Sequence, residues 1–191
     1  VIDRKAFFDN VRGRLFGGLL TQAKVDGINR ILDGWERSGL TDLRWLAYML
    51  GTAYHETALT MQPIEEYGRG KGKLYGQPDA TTKQTYYGRG LVQLTWLRNY
   101  EKAGRYLGLD LVNHPELALE PDNAVKILIW GMVSGWFTGK KLGDYFSATV
   151  EDWRGARRII NGVDCADQIA GHARKFYTAL GTAPATGEVV V

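Results

Sequence analysis

The chain has 191 residues, 45% hydrophobic and 24% charged, a balance that suits a folded protein with a sizeable core and excludes a disordered chain, a collagen-like repeat or a coiled coil. Lys+Arg 24 against Asp+Glu 21 leaves a net charge of only +3, so no nucleic-acid partner is implied, and no apolar run approaches the roughly 20 residues that membrane insertion needs. The single Cys165 cannot form an internal disulfide, and the remaining singularities, 24 glycines and 12% aromatic residues, suit a groove for a stiff polar ligand. Apolar residues then recur at helical spacing over 4–14, 22–38, 42–57, 95–107, 121–134, 151–160 and 165–180. Thr41 and Asp164 are the expected N-caps of two of these helices. Leu15 to Leu20 is too short and too glycine-broken for the apolar part of a signal peptide. One domain over 1–180 is expected, with 181–191 as a surface tail. Between Met61 and Leu91 the period breaks into Gly, Tyr, Lys and Arg, which predicts loops with a short hairpin. Long irregular excursions from a helical body are seldom kept for packing, so function is expected there.

The helix over 42–57 carries two apolar stripes, Leu43, Leu46, Ala47, Leu50 and Tyr54 on one side and Trp45, Met49 and Thr52 on the other. A helix apolar on two sides is mostly buried. Glu56 continues the second stripe into the last turn, where burial and the negative end of the helix dipole both disfavour charge, as a general acid requires. The competing reading is a carboxylate at the surface or one paired with an arginine. Glu65 and Glu66 follow just beyond Pro63, close enough in sequence to return across the helix end. Two carboxylates facing each other over a cleft are the minimum equipment for glycoside hydrolysis. Arg89 and Arg158 are candidates to pair with such a carboxylate.

Other chemistries fail on spacing. His55-Glu56 lacks a second histidine four positions after the first, and His55, His114 and His172 are far apart, so no metal site is expected. The run Gly68-Arg69-Gly70-Lys71-Gly72-Lys73 has glycines and cations but no phosphate-loop pattern. Ser134 lacks the nucleophile elbow of the hydrolases. Carboxylate chemistry without a cofactor is what survives.

Ala53-Tyr54-His55-Glu56-Thr57, then Tyr86-Tyr87-Gly88-Arg89-Gly90-Leu91-Val92-Gln93-Leu94-Thr95-Trp96 with Asn99-Tyr100, then Ile159-Ile160-Asn161-Gly162, resembles glycoside hydrolase family 19. That family comprises plant-type chitinases and related phage and bacterial endolysins. Phe176-Tyr177 resembles its closing helix, with Ala173 where an arginine is usual and Arg174 beside it. The resemblance implies a mainly α, lysozyme-like fold of two lobes, with the loop and short β excursion at the cleft, and inverting hydrolysis of β-1,4-linked N-acetylated aminosugars. By position it implies Glu56 as general acid, Glu66 rather than Glu65 as general base, Thr95 holding the attacking water and Asn99 binding sugar. Gln93 and Asn161 are expected to hydrogen-bond the glycan, and Tyr54, His55, Tyr87, Trp96 and Tyr100 are candidates to line its groove.

Chitin and peptidoglycan share the bond in question. The residues 22–32 resemble endolysin-type members, and with no disulfides and no signal peptide expected they favour peptidoglycan. A monomer is expected, made in a bacterial host's cytoplasm, released through a holin and acting on the cell wall. Chitin hydrolysis is the nearest alternative, and a non-catalytic wall-saccharide binder the alternative of another class.

Overall fold

The computed structural model describes residues 2–181, so the tail read at 181–191 lies, beyond Gly181, outside the described residues. Six α-helices form the body: α1 (Arg4–Arg14), α2 (Gln22–Ser38), α3 (Leu43–Glu56), α4 (Leu97–Leu107), α5 (Pro121–Ser134) and α6 (Ala166–Ala179). Between α3 and α4 lie the strands β1 (Ile64–Glu65) and β2 (Arg89–Gly90), paired antiparallel with Glu65 opposite Arg89. The fold is mainly α with a short hairpin in the excursion, as the broken period predicts.

Side-chain oxygens stop the first turns from fraying: Asp3 accepts from the Ala6 amide and Asp42 from the Arg44 amide. Asp42 is therefore the cap of α3, one residue beyond the Thr41 that the sequence suggested. The expected cap at Asp164 fails as well. Cys165 holds the N-cap position of α6 in a left-handed conformation and makes no capping bond. The expected helix over 151–160 is instead a bridge between Glu151 and Phe146 followed by a 3-10 turn, Gly155–Ile159. The Asp152 carboxylate there accepts the Gly155 amide, a local bond that favours a turn over a continued helix.

α3 runs through the middle of the core. Every residue from Leu46 to Tyr54 is buried, more than two stripes alone require, because α6 crosses it at very short range. A Cβ on Gly51 would sit 2.8 Å from the backbone nitrogen of Ala173. Glycine in mid-helix costs about 1 kcal/mol in propensity, and here it admits the neighbouring backbone. Around this contact pack Phe7, whose ring stacks on Phe176 with centroids 6.3 Å apart, and Trp153, edge-on to Phe146 at 4.8 Å.

Candidate active site

α3 ends at Glu56, and the chain reverses at once. Thr57 donates its hydroxyl to the Ala53 carbonyl and accepts the Met61 amide, while Ala58, Leu59 and Met61 all have positive φ. Three non-glycine residues in that region make a sharp, strained turn. It carries the chain back past the helix end into β1, and so brings Glu66 to the same cleft as Glu56.

The cleft has a volume of about 500 Å³ and is lined by Glu56 and Arg157 on one side and by Glu66, Tyr75, Gln93, Thr95 and Trp96 from the excursion, with Asn99 and Asn161. Seven predicted site residues therefore meet there: Glu56, Glu66, Gln93, Thr95, Trp96, Asn99 and Asn161. Glu56 is paired with Arg157, whose Nη1 donates to Oε1 at 2.6 Å, and the two side chains are only 14% and 6% exposed. Arg157 also donates from Nε to the Asp164 carbonyl, so the guanidinium is fixed at both ends. The arginine-paired reading of Glu56 and its place in a cleft are both true.

Glu65 and Glu66 part company on geometry. Successive residues of a strand point to opposite faces. Glu65 accepts from Tyr87 Oη at 2.7 Å and from Arg69 Nη2 at 2.7 Å, away from the cleft. Glu66 accepts from Tyr75 Oη at 2.9 Å on Oε1 and from the Gly88 amide at 3.0 Å on Oε2, and it lines the cleft. Burial, and then the bond to Glu66, push the Tyr75 hydroxyl above its ordinary range, so it stays a proton donor to that carboxylate.

The loop before α4 sets the remaining groups. Gln93 and Trp96 have positive φ on either side of the turn, and Thr95 between them donates its hydroxyl to the Gln93 carbonyl at 2.7 Å. The donor of Thr95 is thus used, and its lone pairs remain to accept from a water. Asn99, 6% exposed, donates to the Thr95 carbonyl at 2.9 Å, which leaves its amide oxygen for ligand. Gln93 donates to the Ile64 carbonyl at 3.2 Å, so it also ties the hairpin to the loop. Trp96 is 43% exposed, with Tyr75 edge-on at 5.2 Å, an apolar platform at the cleft.

Four expected groove residues do not reach the cleft. Tyr54 is a core residue whose hydroxyl donates to the Leu15 carbonyl and whose ring lies 4.7 Å from that of His172. His55 sits close enough to His172 for the two to interact electrostatically. Tyr87 is buried, its hydroxyl on Glu65 and its ring 3.7 Å under the Arg89 guanidinium. Tyr100 is fully buried. Tyr54 and Tyr100, on helices, serve the core, and Tyr87 is spent on Glu65 and Arg89. Arg89 holds backbone carbonyls and the Tyr100 hydroxyl rather than a carboxylate, and the arginine on Glu56 is Arg157, one residue before the candidate Arg158.

The cleft is cut into a helical body and receives one carboxylate from a helix end and one from the paired strands. The fold is shared with chitinase C from Streptomyces griseus HUT6037, at a TM-score of 0.60 over 97% of this chain and 79% of that one, with 22% identity. Residues 61–142 match the family model of glycoside hydrolase family 19, chitinase class I. The chain is 32% identical over 135 residues to one endochitinase of Arabidopsis thaliana, covering 65% of this chain and 46% of that one. With a second Arabidopsis endochitinase it shares 31% over 160 residues, covering 78% and 52%. The chain thus spans about half the length of these curated relatives. Glu66, Thr95 and Asn99 lie inside the family match, while Glu56, Arg157 and Asn161 lie outside it.

Proposed function

We propose that this chain is an inverting glycoside hydrolase that cleaves β-1,4 bonds in polymers of N-acetylated aminosugars. The observation that carries the reading is that Glu56 and Glu66 line one cleft from two different elements. Glu56 gives a proton to the glycosidic oxygen as the bond to the anomeric carbon breaks, and Arg157 meets the negative charge that develops on the carboxyl. Glu66 takes a proton from a water that attacks the opposite face of the sugar. That water donates its second hydrogen to Thr95 Oγ1, whose own proton is held by Gln93. Asn99 accepts an acetamido N–H, and Trp96 offers its ring to a sugar face.

The polymer we assign is bacterial peptidoglycan, cut by a monomer made in a bacterial cytoplasm and released through a holin to the wall. The likeness of residues 22–32, on α2, to endolysin-type members supports this assignment. Chitin is the second reading, favoured by the endochitinase names of the relatives. Digestion of purified peptidoglycan and of chitin hexamer, with mass spectrometry of the products, separates the two. Glu56→Gln is expected to lower turnover on the true substrate by roughly 10³-fold with the fold retained. Equal activity in the two proteins rejects the hydrolase reading, and glycan binding without turnover in the wild type supports a saccharide binder instead.

A further inference from the structure

The glycine- and lysine-rich run that fits no phosphate loop has a definite place in the fold. It hangs from the two residues that form the base-bearing wall of the cleft, Glu66 before it and Tyr75 after it, joined by their 2.9 Å hydrogen bond. Backbone bonds brace it from within, from the Arg69 amide to the Glu66 carbonyl, Lys71 to Gly68 and Lys73 to Gly70, each at 2.9 Å. Gly70 and Gly76 touch so closely that no side chain fits on Gly76. The run is therefore a closed, braced loop.

Its three cations are used differently. Arg69 is tied down on Glu65 at 2.7 Å. Lys71 and Lys73 are exposed, and their ammonium groups have no hydrogen bond or ion pair among the described residues. Arg98 at the start of α4, also exposed, lines the cleft and is likewise without such a partner. A neutral glycan offers these cations only hydroxyl and amide oxygens and leaves their charge unmatched, whereas carboxylates beside the scissile chain would form ion pairs with them. Resting on the peptidoglycan reading, we infer that Lys71 and Lys73 form a subsite for the carboxylates of the peptide stems that hang from the wall glycan.

The test uses the full chain and its Lys71→Gln/Lys73→Gln variant on three substrates: peptidoglycan sacculi, the same sacculi with carboxylates amidated by carbodiimide and ammonia, and chitin hexamer. Exposed ion pairs are weak and salt-screened. The variant is therefore expected to lose about three- to tenfold in kcat/KM on native sacculi at low salt, through KM, and nothing on the other two. Wild type should lose a similar factor on amidation, and the variant should be indifferent to it. A loss equal on all three substrates, or no loss at all, overturns the subsite while leaving the hydrolase intact. Wild-type cleavage of chitin hexamer with none of either sacculus overturns the peptidoglycan reading, and the subsite with it.

Discussion

The two walls of the cleft are built by different means. Glu56 stands on the last turn of α3, a helix buried from Leu46 to Tyr54 and pressed against α6 at Gly51, and Arg157 clamps its carboxyl from an element 101 residues away. Glu66 stands on an excursion whose regular structure is two strands of two residues and a 3-10 turn, Leu74–Gly76, and whose shape is kept by hydrogen bonds within the excursion that involve Tyr75, Gly88 and Gln93. Packing and an ion pair between residues distant in sequence fix Glu56. Hydrogen bonds within the excursion fix Glu66. The surroundings of Glu56 are therefore tied to global stability more closely than those of Glu66.

The sharpest way to break this contrast is Arg157→Met. Removing one partner of a largely buried ion pair leaves a charge without compensation, at a cost of roughly 3 kcal/mol. Thermal unfolding should show the loss, and turnover should fall with it. Next in size is the comparison of Glu66→Gln with Glu65→Gln. The first is expected to lower kcat by about 10²-fold at nearly unchanged Tm, and the second to leave kcat within a few-fold of wild type. Equal losses in these two variants would mean that strand alternation does not choose the base. The smallest effect concerns the helical wall alone. Burial, then Lys175 and His55, hold the His172 imidazole below its usual range. The unfolded chain then binds more protons near pH 6.5, so the contribution to stability is full above that pH and is lost as pH falls towards the depressed value. Tm should drop by a few degrees at most between pH 7.5 and 5.5, and His172→Gln should flatten that slope.

Much of this could be read before any coordinates. Helical spacing places α1, α2 and α5 at their observed bounds because their apolar residues face one core. The excursion shows itself through the loss of that spacing. Glu56 is legible as the continuation of an apolar stripe. Arg157 is not, since it sits in a 3-10 turn where a helix is expected, and nothing in the pair Arg157-Arg158 says which of them turns inward. Tyr54, Tyr87 and Tyr100 mislead because an aromatic ring suits a core and a sugar groove equally well. Phe137 and Thr138, which also line the cleft, carry no local signal, because long-range folding alone brings them there. Glu65 and Glu66 are chemically alike in sequence; the resemblance prefers Glu66, and the geometric separation comes only with the register of β1 against β2.

The left-handed residues on either side of Thr95 bear on how this turn tolerates change. Gln93 and Trp96 hold their backbones where glycine would rest without strain. Glycine at either place would relax the turn, yet it would forfeit a tether in one case and a platform in the other. This corner of the molecule can be made sturdier only by giving up what it offers a ligand.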